Sequence, residues 1–163
     1  MKKILLVLVL SLSVFCFAEN SEAYYKVDLL LRGGLKNNTQ EIKKAAAGLT
    51  PAERLELYEQ HKMQPWIGAI VNIFVPFGVG NYIQGDNFGG TVTLVGDIAG
   101  IVMVNSGANV FVGDIRSHNA RNNGASMMAG GVTVITFSTI YSWFRVFTYP
   151  NEYNSKLVKA LNV

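Results

Sequence analysis

The stretch that decides the fold runs from Phe88 to Val112, FGGTVTLVGDIAGIVMVNSGANVFV, 25 residues whose one charged side chain is Asp97. As an α-helix rising 1.5 Å per residue it reaches about 37 Å, more than the ~30 Å of a bilayer's hydrocarbon core. Gly96 and Gly100, four residues apart, form a small-xxx-small pair that lets a second helix approach the backbone. Two further apolar stretches flank it: Ala125–Phe144 holds 20 residues without a charge and runs into Arg145, and Trp66–Ile83 holds 18. Pro76 falls inside the latter and Gly78 and Gly80 follow it, so this first segment reads as kinked or re-entrant.

Strands are the competing organisation, because outer-membrane proteins usually cross as barrels of strands of about ten residues. Val132–Phe137 is β-branched enough for one. Trp66–Val75 and Gly96–Val104, however, lack period-two alternation, and the segments are too few to close even a barrel of about eight strands. The expected fold class is all-α: an integral membrane helical bundle of about three apolar segments, the first kinked or re-entrant, preceded by short amphipathic helices.

Composition agrees. Of 163 residues 50% are hydrophobic and 15% charged, against about 25% charged in soluble domains. Residues 19–62 hold seven basic and seven acidic side chains, while 63–163 hold five and four. Without Lys2 and Lys3 the excess is 12 bases over 11 acids, which leaves no dense basic face for nucleic acid.

Residues 1–18 have the order of a secretory signal peptide: Lys2-Lys3, an apolar run from Ile4 to Phe15, and Cys16-Phe17-Ala18 with cleavage expected after Ala18. A retained anchor and a lipidated Cys16 are the rivals; the run is short for a span, and bulky Phe15 stands where lipidation favours a small residue. Cleavage after Ala18 removes the chain's single cysteine, and with it disulfides, thiolate metal sites and a cysteine nucleophile. The expected divisions are 1–18 signal peptide, 19–64 polar region, 65–149 membrane-embedded helices and 150–163 C-terminal tail.

In the polar region Val27, Leu29, Leu30 and Leu31 form an apolar patch interrupted by Gly33-Gly34 and Asn37-Asn38. A short helix is expected from Gln40 to Ala47, capped by Thr39 and Gly48. Thr50-Pro51-Ala52-Glu53 reads as a capping box with proline at the first helical position, opening a helix to about Lys62 with Leu55, Tyr58 and Lys62 on one side. If all three apolar stretches crossed an inner membrane, Arg116 and Arg121 would lie outside and the Asp86 turn inside, against the positive-inside preference. Either the first segment does not cross or the inner membrane is the wrong one.

Catalytic and metal-binding patterns are missing. His61 and His118 lack partners at ligand spacing, Gly78-Val79-Gly80 lacks the Lys-Ser/Thr of a phosphate loop, and no Gly-x-Ser-x-Gly turn occurs. Neither an enzyme, a metal nor a cofactor is expected. Asp97 and Arg145 are the candidates instead, since ionisable groups at membrane depth are costly unless paired or facing water. They could pair with each other, line an aqueous path together with Asn105 and Asn109, or let Arg145 snorkel beside Tyr141, Trp143 and Tyr149. Gln84-Gly85-Asp86-Asn87-Phe88-Gly89-Gly90 reads as a tight helical hairpin with Asp86 capping the second helix.

These same residues carry a resemblance. Leu57-Tyr58-Glu59, Pro65, Asn72-Ile73-Phe74, Phe77-Gly78-Val79-Gly80, Gln84-Gly85-Asp86, Gly89-Gly90 and Asp97, then Arg145, Pro150, Tyr153-Asn154, Leu157 and Leu161, resemble the spirochaete (Borrelia-type) thirteen-kilodalton integral outer-membrane channel-forming protein family over roughly 53–163. The resemblance implies a mainly helical outer-membrane protein with channel-forming activity, and outer-membrane placement would remove the positive-inside conflict. Three helices are too few to enclose a wide lumen, so a homo-oligomer in the lipid bilayer is expected. The alternative is an anchored structural or adhesive protein whose region 19–62 binds an envelope or host protein.

Overall fold

The computed structural model describes residues 21–113 and 116–163. The expected signal peptide, Cys16 and residues 114–115 lie outside the described residues. Helices α1 (Glu22–Arg32), α2 (Leu35–Ala46), α3 (Pro51–His61), α4 (Pro65–Phe74), α5 (Val79–Ile83), α6 (Asn87–Gly113) and α7 (His118–Leu161) follow in order, and no strand occurs among the described residues. They divide into two units, one up to His61 with Lys156–Val163 and the other Lys62–Ser155.

In the first unit Ser21 caps α1, its hydroxyl oxygen accepting the Tyr24 N–H at 3.2 Å. Tyr24, Val27 and Leu31, at helical spacing, are buried with Leu35, Ile42 and Ala46 of α2 and Leu57 of α3. Of the apolar patch of the polar region, Val27 and Leu31 thus lie on the buried face of a helix, whereas Leu29 is 70% exposed. Helix α2 begins at Leu35, five residues before the expected start at Gln40: Thr39 is interior, its hydroxyl donating to the Leu35 carbonyl at 2.6 Å. Asn38, read as a breaker, is helical too, and its amide donates to the Leu30 carbonyl at 2.8 Å, satisfying an orphan at the end of α1.

The capping box of α3 forms as expected. Glu53 Oε2 accepts the Thr50 N–H at 2.8 Å and Thr50 Oγ1 accepts the Glu53 N–H at 3.3 Å. The buried position of α3 is Leu57, at 0% exposure, whereas Leu55 of the expected face is 52% exposed. Glu53 also accepts the Ser21 N–H at 2.9 Å, and the hydrogen bonds from Ser21 and Thr50 pull its carboxyl down to about 2. Such a depressed carboxylate stabilises the fold above its unfolded value near 4.5 and loses that contribution as pH falls toward 2. Asp28 adds in the same direction: burial opposes ionisation there, but hydrogen bonds from His61 and Arg32 outweigh it and lower its pKa. Circular dichroism of Glu53→Gln should therefore show less helix at pH 7 and a smaller helix loss between pH 4.5 and 2 than the parent.

In the second unit the first apolar segment is split. Pro76 has no N–H to offer the Asn72 carbonyl, so α4 ends at Phe74, and Phe77 (φ 67°) and Gly78 (φ 71°) then turn through the left-handed region before α5. A left-handed phenylalanine is uncommon and costs about 1 kcal/mol or more. Two described helices, α6 with 27 residues and α7 with 44, are long and apolar enough to cross a membrane. The expected three-segment bundle is therefore two long helices and one broken element too short for a span. Nor does a tail begin at Pro150, which lies inside α7; residues 156–163 belong with the first unit.

Helices α6 and α7 touch through small residues. A Cβ on Gly131 would meet the Gly100 carbonyl oxygen at 2.6 Å, and Cβ atoms on Gly107 and Gly124 would each meet the other's carbonyl oxygen at 2.6 Å. Thr93, Gly100 and Gly107 step by seven, as do Gly124, Gly131 and Ser138, and the Ser138 hydroxyl donates to the Thr93 carbonyl at 2.9 Å. Such a seam lets backbones approach closely, gaining dispersion where lipid supplies no hydrophobic drive.

Candidate functional site

The second unit buries a set of polar groups and exposes many large apolar ones. Asn81, Asp86, Thr93, Asp97, Ser138 and Ser142 are buried, while Phe74, Phe88, Val95, Ile98, Val102, Phe137, Ile140 and Phe144 are exposed. Water would oppose such an arrangement and a bilayer would favour it.

The hairpin Gln84–Gly90 is built around Asp86. Gly85, at φ 80°, makes the turn. Asp86 Oδ1 accepts the Gly89 N–H at 3.0 Å, capping α6. The same carboxylate takes two bonds from Arg145 on α7, Nε to Oδ2 at 2.8 Å and Nη2 to Oδ1 at 3.0 Å. Arg145 also lies 5.5 Å from the Tyr149 ring centroid, and the Tyr149 hydroxyl donates to the Gly85 carbonyl at 3.1 Å. The partner of Arg145 is thus Asp86 of the turn. The Asp97–Arg145 pair considered from sequence does not form, because the guanidinium reaches the hairpin at the start of α6 and Asp97 lies eleven residues further along than Asp86.

A second polar cluster joins α4, α5 and α7. Asn72 donates to Asn81 Oδ1 at 3.3 Å and to Ser142 Oγ at 3.0 Å, Asn81 donates to Ser142 Oγ at 3.2 Å, and Asn72 Oδ1 accepts the Gly80 N–H at 2.7 Å. Sequence reading missed these three; the available signal was small polar residues embedded in apolar runs. Asp97 sits apart at 5% exposure. Its Oδ2 accepts the Phe77 N–H at 3.2 Å, and its Oδ1 is buried with no hydrogen-bond partner among the described residues. A cavity of about 50 Å³ adjoins it, lined in part by Asn72, Phe77, Thr93 and Ser142.

Asn105 and Asn109 are not brought to this centre and are exceptions to the buried polar pattern. Both are exposed one turn apart on α6, Asn105 donating to the Ile101 carbonyl at 3.0 Å. Among the described residues no group of three or more His, Cys, Asp or Glu could hold a metal ion.

In the second unit, buried polar groups, exposed apolar ones and two helices of spanning length fit a membrane protein of the helical class. Residues 55–163 match the model of the Borrelia membrane protein P13 family, and the chain belongs to that family. Neither the curated proteins nor the solved structures include a match to it.

Proposed function

We propose that this chain is a channel-forming protein of the spirochaete outer membrane that conducts as a homo-oligomer, along a path between copies. The observation that carries the reading is the division of its intramembrane polar groups. Asp86 and Arg145 satisfy each other and Asp97 is enclosed, whereas Asn105 and Asn109 face outward beside the exposed apolar side chains Ile101, Val102, Val110 and Val112 of α6. Two carboxamides against lipid are costly, and a neighbouring copy that covers them or shares water with them removes that cost. Family membership and the signal-peptide order of residues 1–18 support the envelope placement.

Planar-bilayer recording of the detergent-purified protein tests this, with inner and outer membrane fractions blotted from the same cells. Discrete conductance steps are expected, and Asn105→Leu/Asn109→Leu should reduce their size or frequency at least about tenfold. Asp97→Asn, enclosed within one copy, should leave ion selectivity unchanged. Silence at every protein concentration would instead favour an anchored structural or adhesive protein, and deleting residues 19–50 should then abolish partner binding.

A further inference from the structure

Asp97 is an acidic side chain that no cationic side chain meets among the described residues. It lies ten residues into α6 from Asn87, about 15 Å along the axis and so near mid-depth of a spanning helix. One carboxylate oxygen is held by the Phe77 N–H, the other is buried and without a partner among the described residues, and Asp97 is among the residues that line the cavity of about 50 Å³. No basic side chain lines that cavity.

The remaining lining includes four polar side chains, Asn72, Thr93, Thr139 and Ser142, beside Phe77 and Trp143. The Thr93 hydroxyl gives its hydrogen to the Gly89 carbonyl at 2.9 Å, which leaves oxygen lone pairs free. Asn72 Oδ1 accepts the Gly80 N–H and retains one lone pair. Pro76 cannot donate to the Asn72 carbonyl, so the C-terminal end of α4, the negative pole of that helix, carries acceptors the helix itself does not use. Ser142 is different: its oxygen already accepts from Asn72 and Asn81, leaving its hydrogen as the free function, suited to a water or to the carboxylate.

We propose that this cavity binds one small monovalent cation of sodium size, with Asp97 as its charged ligand and neutral oxygens of the α4–α5 break and Thr93 completing the shell. A single carboxylate neutralises one positive charge; calcium takes about six to eight oxygens, and magnesium needs near-octahedral geometry and keeps several waters, more than this volume holds. The volume suits one ion with one or two waters. Binding ties the left-handed Phe77-Gly78 turn to α6.

Thermal unfolding of the purified protein in detergent, followed by tryptophan fluorescence, tests the site; Trp143 lines the cavity. Replacing choline chloride by sodium chloride at constant ionic strength should raise the midpoint saturably, by about 3 °C or more at tenfold over the half-saturating concentration. Asp97→Asn should abolish the rise. If that variant does not fold, Thr93→Val decides, with an expected shift of the half-saturating concentration of about fivefold or more; an unchanged value overturns the proposal. Equal midpoints in sodium and choline also overturn it, as does a sodium effect that persists in Asp97→Asn. A midpoint that rises between pH 7 and 5 without sodium dependence overturns it in favour of a protonated Asp97.

Discussion

Arg145→Met is expected to destabilise the second unit by about 3–5 kcal/mol, the cost of leaving the partner of a buried ion pair uncompensated. Asp86 is 2% exposed and receives both guanidinium bonds, so removing the arginine strands a carboxylate whose one other side-chain bond is the cap to Gly89. The loss is read from denaturant unfolding in detergent. Asp86→Asn on the Arg145→Met background removes the stranded charge and keeps a capping oxygen, and should recover more than half of the loss. A single variant within about 1 kcal/mol of the parent would show that the pair contributes little and that the hairpin is held by packing.

The second large effect is at the small-residue seam. Gly131→Val is expected to cost about 3 kcal/mol or more, because even its Cβ would meet backbone atoms of the facing helix, the Gly100 carbonyl oxygen at 2.6 Å and the Val104 nitrogen at 2.8 Å. Backbone cannot rotate away as a side chain can, so α6 and α7 must separate. Two substitutions serve as controls on the same pair of helices. At Gly130 an added Cβ meets the movable end of Met103 at 3.0 Å, and at Gly113 it meets nothing within 4 Å. Gly130→Ala and Gly113→Ala should both stay within about 0.5 kcal/mol of the parent. Equal losses at Gly131 and Gly130 would sink the close-approach account.

Much of this arrangement was legible from local chemistry. The capping box at Thr50, the cap at Asp86 and the interruption at Pro76 depend on a few consecutive residues, and each has the expected geometry. Helix α1 was not legible, because its buried face is only Tyr24, Val27 and Leu31, and the adjacent exposed Leu29 blurs the period. Thr39 misled because threonine serves equally as a cap or as an interior residue that bonds back one turn. The partner of Arg145 depends on tertiary placement: Asp86 and Asp97 are both acidic, and only the fold brings the first within reach. The Asn72–Asn81–Ser142 cluster joins positions up to seventy residues apart, beyond any spacing rule.

The sevenfold step of the α6–α7 seam also limits how the pair can move. Sliding α7 by one turn, about 5.4 Å, would set Met127 or Ile135 where Gly131 now meets the Gly100 backbone. The next small residue of the seam is a full seven positions away, at Gly124 or Ser138, about 10.5 Å along the axis. Piston-like travel is therefore blocked between widely separated notches. Any opening or closing of the proposed passage must tilt the two helices as one body or rearrange the neighbours around them.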